Sequence, residues 1–374
     1  MVSFVGLGFS RAVSAQQYTF EEVASGLKHR DAATRLRAIQ ILKDADYAEA
    51  AVPIAAALED TDDRVQLAAL DAERSLFTSR PVTRRKRIGL VLEVRSVAGG
   101  DAAAAGQLAL KARTVPPQVL NGVAVALRDA NPRVRAEAIH LASLIGPFAC
   151  VRDSEPCAQV GNALIDNINS REALLRRAAM QSLGQLRYAS AVQALSDQLS
   201  YHQKGPDAMA AIEGLAGVGH PTSVTILEGL LTNSNAAVRR LAVEGLARAG
   251  NRDMLPAIQQ MGQSERSDGV LLAVHYAGVR LGGIDASLQP IVAALAVSSQ
   301  RPLVLGYLLD LAPQLAPSLT PSLSDPSADV RRLMADVLGF SRHPDVIPAL
   351  EAASRDRDPD VAAAAQQAIE RLKL

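Results

Sequence analysis

Tryptophan is absent from this chain, and aromatic residues of every kind make up 3% of its 374 positions. A deep pocket walled by rings, or a row of stacking platforms for nucleic-acid bases, has little to be built from. A surplus of charge is missing as well: 39 Lys and Arg stand against 39 Asp and Glu, so no field draws a nucleic acid or an anionic membrane. No stretch approaches the ~18 consecutive apolar residues of a membrane-spanning helix. The sequence holds no His-x-x-x-His, no His-Glu pair, no Gly-x-Ser-x-Gly, no Gly-x-Gly-x-x-Gly and no phosphate loop. Metal-assisted hydrolysis, serine acyl transfer and nucleotide binding therefore lack their residues, and no catalytic group, metal or cofactor is expected.

What is present is a recurring frame. An Asp is followed five positions later by Val or Leu in Asp31/Leu36, Asp60/Val65, Asp129/Val134, Asp325/Val330 and Asp356/Val361, and Ser170/Leu175 and Asn233/Val238 keep the spacing. Arg or Gln follows the apolar residue at Arg37, Gln66, Arg135, Arg176, Arg239 and Arg331. Successive Asp-type positions are 29, 69, 41, 63, 92 and 31 residues apart, which is one to three periods of about 31, with roughly ten extra residues in two places. Asp62, Asn131, Asn235, Ser327 and Asp358 stand three residues before the apolar marker, where a short polar side chain caps a starting helix, and Pro132 and Pro359 follow at the first helical position. Apolar residues then recur at helical spacing up to Gly146, Gly184, Gly219, Gly250 or Gly339. Each unit is thus a helix, a turn and a second helix. Ala, Leu and Val carry a 48% apolar composition that suits close helix packing.

This frame resembles the HEAT-like repeat family, in particular its short phycobilisome-lyase type of repeat, over residues 20–374. The resemblance implies an all-α fold, a right-handed α-solenoid of about 11 antiparallel helix pairs, with residues 16–374 as one continuous domain. It also implies ladders in which the Asp of the turn and the Arg after the marker bond stacked units, carried over to Asp129 with Arg135 and Asp325 with Arg331. Gln66, Ser170, Asn233 and Ala362 depart from that pattern. Fold is well specified by such a match, and activity is not.

Four local features stand outside the frame. Residues 1–15 join an apolar run to Val13 and Ala15, the small residues a signal peptidase reads, yet lack a positive start; they are either a signal peptide or an N-terminus that stays on the mature chain. Residues 80–87 hold five basic side chains, which either meet phosphate or form a solvated turn. They open an irregular third unit at about 80–115. An inserted loop at 147–157 contains Cys150 and Cys157. These form a small disulfide ring, which places the protein in the periplasm or outside the cell, or remain two free thiols of a cytoplasmic protein.

If the second helices line the inner face, as in the resembled family, the position six after each marker points inward: Asp71, His140, Gln181, Glu244, Tyr276, Asp336 and Gln367. Arg177, Arg240 and Arg332 stand two after it. Arg240 with Glu244 and Arg332 with Asp336 are i,i+4 pairs, so the stripe is either a self-neutralised solvated face or a mixed-charge groove for a polypeptide. The expected function is a non-catalytic protein-interaction scaffold with a protein or peptide partner, no nucleic acid and no membrane span. The alternatives are a bilin-lyase-like enzyme and a nucleic-acid-binding helical-repeat protein.

Overall fold

The computed structural model describes residues 19–78, 106–150, 154–282 and 286–374. The 1–15 segment, the 80–87 basic run and most of the irregular unit lie outside these residues. The described residues hold no strand, only one antiparallel bridge between Thr78 and Leu110, and the fold is an all-α solenoid.

Helices come in antiparallel pairs: α1 (Phe20–Gly26) with α2 (Ala32–Ala45), α3 (Ala51–Ala56) with α4 (Asp63–Phe77), α5 (Pro117–Ala126) with α6 (Pro132–Ala149), and α7 (Glu155–Asn167) with α8 (Ala173–Leu186). The series continues with α9 (Val192–His202) and α10 (Pro206–Val218), α11 (Val224–Gly229) and α12 (Ala236–Ala249), and α13 (Leu255–Ser264) and α14 (Asp268–Gly282). Next, α15 (Gln289–Ala293) precedes α16 (Arg301–Leu319), a long helix that carries Pro313 and Pro317 and runs on into a 3-10 turn. It supplies the first arm of the unit completed by α17 (Ala328–Leu338), and α18 (Ile347–Ala353) and α19 (Pro359–Leu372) end the array.

The expected caps form at Asp62, Asn131, Asn235 and Asp358, whose side chains accept from free N–H groups of the starting helix; each is worth about 1 kcal/mol. Ser327 makes no such bond. Gly219 and Gly250 end α10 and α12 in left-handed conformation, at φ 57° and 74°. Gly184 has another role inside α8, because a Cβ on Gly217 would come within 2.7 Å of its Cα; only glycine lets α8 and α10 approach so closely. The markers Val65, Val134, Leu175, Val238, Val330 and Val361 are all buried between units.

The ladder is real but differs in wiring from the simple Asp–Arg pair. Arg135 and Arg331 do reach Asp129 and Asp325, through the main-chain carbonyls at 2.7 and 2.9 Å. The carboxylates of those aspartates instead hold the N–H of the cap two residues on, at Asn131 and Ser327. The rung between units is made by the other arm of the arginine, from Arg331 to Asp356 at 2.7 and 2.9 Å and from Arg239 to Glu265 at 2.8 and 3.0 Å. Hydrogen bonding to Arg331 holds the Asp356 carboxyl down to about 2.

This wiring corrects the register of the first unit. Arg35, not Arg37, bonds the carbonyls of its own turn and grips Asp60, at 2.6 and 2.8 Å. His29 fills the turn position and accepts from the N–H of Asp31, which is the helix cap. Arg35→Ala should therefore lower the melting temperature and Arg37→Ala, at an exposed side chain, should leave it within the scatter of surface changes; a thermal melt of both variants checks this.

Gln66 donates to the Asp129 carboxylate at 2.9 Å, Arg74 pairs with Glu137 at 3.0 Å, and α4 packs directly on α6. The units before and after the irregular segment are thus stacking neighbours. Inside α4, Glu73 is fully buried and neither carboxyl oxygen has a partner among the described residues.

Candidate interaction cleft

Ten residues after Leu175, Val238, Val270, Val330 and Val361, one helical turn beyond the expected stripe, stand Gln185, Arg248, Arg280, Phe340 and Arg371, and Asp310 lies in the middle of α16. All six line a central cleft of about 1200 Å³ into which the C-terminal ends of the second helices converge. Cations suit these positions, since helix C-termini carry the negative end of the dipole. Arg248 donates to the Ala216 carbonyl at 3.2 Å and Arg280 to the Ala247 carbonyl at 3.2 Å, each at the helix end of the preceding unit. These bonds make a second ladder on the inner side.

Asp310 is the hub of the cleft floor. It accepts from Tyr276 at 2.5 Å and Arg248 at 3.0 Å, lies 3.9 Å from Arg280, and pairs with Arg187 from a unit that is not its neighbour in the stack. Burial opposes its ionisation, and the charges of Arg187, Arg248 and Arg280 overcome that, so its carboxyl stays well below the usual range. Tyr276 and Tyr307 stack with ring centroids 4.5 Å apart, and the Tyr307 hydroxyl donates to Glu244 at 2.7 Å. Burial raises both phenols far above their ordinary value, which keeps them neutral donors.

The stripe residues therefore meet one another rather than solvent. Arg240 pairs with Glu244 at 2.6 Å and Arg332 with Asp336 at 3.4 Å, the expected i,i+4 contacts. Arg240, Glu244, Tyr276 and Asp336 are buried, at 7%, 4%, 0% and 2% exposure, so in this conformation they are not a surface for a partner. Gln181 is spent on Glu213 at 2.6 Å, and Arg177 on the Ala173 carbonyl and on Asp207, leaving it and Arg332 half-buried. Counting one turn further along the same helix face would have found Arg248, Arg280 and Arg371; Asp310, Arg187 and Tyr307 carry no repeat signal.

Two more contacts join distant units. Phe148 meets Phe340 edge-on at 6.1 Å, and Arg371 lies 4.0 Å over the Phe340 ring while donating to the Leu110 carbonyl at 2.7 Å. Cys150 and Cys157 are joined as a disulfide with Cα atoms 5.5 Å apart, at one side of the cleft beside Phe148. Among the described residues no group of three His, Cys, Asp or Glu could hold a metal, and no helix is long and apolar enough to cross a membrane.

The HEAT repeats family matches residues 202–278 and 303–373, and the PBS lyase HEAT-like repeat matches residues 175–201. No curated protein matches the chain. Among solved structures, the complex of CpcE and CpcF of phycocyanin lyase from a Nostoc species is 18% identical, covering 69% of this chain and 95% of that one at a TM-score of 0.36. Human deoxyhypusine hydroxylase is 20% identical, covering 69% and 96% at 0.29. Kap95p, in a structure that concerns its binding to RanGDP, is 13% identical, covering 95% and 50% at 0.35. With repeat frame, ladders, stacking and family matches in agreement, this chain carries HEAT-like repeats.

Proposed function

We propose that the protein is a non-catalytic interaction scaffold that holds a polypeptide segment in its central cleft. The observation that carries this reading is the cleft itself: about 1200 Å³, with apolar Phe148, Leu186, Leu309 and Phe340 between charged edges. That is larger than the ~300–1,000 Å³ of ordinary small-molecule sites and mixes apolar anchors with polar groups, as peptide grooves do. A photo-crosslinking residue at Gln314, exposed on the cleft wall, should capture a polypeptide in the native host. The same residue at Val125, exposed on a first helix, should not. Equal capture at both positions, or none at Gln314, would remove the reading.

We further propose an oxidising compartment, the periplasm or the cell exterior, supported by the joined cysteines and the signal-like start. Intact mass of protein from the native host should correspond to a chain beginning at Gln16 and two hydrogens lighter than its reduced form. Retained Met1 with two freely alkylated thiols would return the protein to the cytoplasm.

A further inference from the structure

Although the chain as a whole is neutral, the cleft is not evenly balanced. Five arginines line it against Glu213, Glu244 and Asp310. The three acidic side chains are already engaged: Asp310 with Arg187 and Arg248, Glu244 with Arg240 and Tyr307, and Glu213 with Gln181. Arg342 and Arg371 are left at the far end, and among the described residues neither has a carboxylate at ion-pair distance. Arg371 is 6% exposed, and its Nε and Nη1 have no acceptor among the described residues. Burial pulls its pKa down to about 10, outweighing the nearby charges of Asp336 and Glu370, the mark of a buried cation without a direct ion pair. Arg342 is exposed and sits at φ 57°, an uncommon conformation for a long side chain. Phe340, two residues earlier, gives this cationic end an apolar wall beside it.

We infer that the cleft takes an acidic polypeptide segment, with an Asp or Glu carboxylate of that segment seated at the Arg342–Arg371 end and its apolar residues against Phe148 and Phe340. This rests on the scaffold reading and narrows it to one chemistry of partner. A carboxylate arriving there supplies what Arg371 lacks, and charge-assisted bonds to arginine are the stronger kind.

The test uses the full chain and two fluorescein-labelled short peptides, one of alternating Glu and Ala and its Gln counterpart, read by anisotropy. The Glu peptide should bind at least about tenfold more tightly, as one charge-assisted contact allows, and its affinity should fall with added salt. Arg342→Glu, at a side chain outside the hub and both ladders, should keep the wild-type melt and abolish that preference; Arg371→Gln should weaken binding too, and a lowered melt for that variant leaves the Arg342 result to decide. Equal affinity for the two peptides, a preference that survives Arg342→Glu, or no binding of either peptide overturns the inference. In each of these cases a polypeptide captured at Gln314 would leave the scaffold reading standing, now with a neutral or basic partner. Displacement of the Glu peptide by a single-stranded oligonucleotide at lower concentration would assign the site to nucleic acid and overturn the inference as well.

Discussion

Asp310→Ala should destabilise the protein by about 3–5 kcal/mol, the cost of removing one partner from a buried ionic cluster. It leaves Arg248, Arg280 and the Tyr276 hydroxyl facing a cavity without their acceptor, and it cuts the tie to Arg187. Arg187→Ala should cost far less, because that guanidinium is half exposed and Asp310 keeps its other donors. The folded pKa of Asp310 lies below its unfolded value of about 3.9, so its contribution is present at neutral pH and fades as pH falls below about 4. Urea unfolding of both variants at pH 7 and pH 3.5 decides the matter; equal losses for Asp310→Ala and Arg187→Ala would show that Asp310 is not the hub.

The opposite sign is expected at Glu73→Met. Burial alone raises the Glu73 pKa well above the ordinary carboxyl value, and no charged group offsets it. An acid whose folded pKa exceeds its unfolded value of about 4.3 contributes most below that value and loses its contribution as pH rises. The wild type should therefore lose about 1.4 kcal/mol per pH unit from this site until the folded pKa is reached. Methionine, close in size and without a proton to lose, should raise stability at pH 7.5, and the gain should shrink toward pH 4. Parallel stability curves for the two proteins across that range would mean that Glu73 finds a partner when ionised.

What the sequence exposes is the part of the fold written in single units. Asp62, Asn131 and Asp358 are caps because capping needs only a short polar side chain at one position, and that is visible in one chain. The register of the first unit was misread because Asp31 is a cap that mimics the turn acid two residues earlier, where His29 stands. Glu265 escaped because Leu271 replaces the arginine after its marker. The direct packing of α4 on α6 is not legible in the period, which says how much chain separates two markers and not which units touch. Burial of Arg240, Glu244 and Tyr276 was out of reach for another reason. It depends on the curvature of the array, a sum of small rotations between units, and on ties such as Arg371 to Leu110 that link residues 261 positions apart.

Those distant ties set a limit on how this protein can change. In an open array a unit can be gained or lost at little cost, since each unit answers only to its neighbours. Here Phe148 must arrive opposite Phe340, Arg187 opposite Asp310, and Arg371 beneath the Leu110 carbonyl. Adding or deleting one unit anywhere between Arg187 and Asp310 would carry every one of these partners past its mate. The chain has thereby exchanged the open-ended length of a repeat protein for a fixed count, as a clasp sets the size of a bracelet.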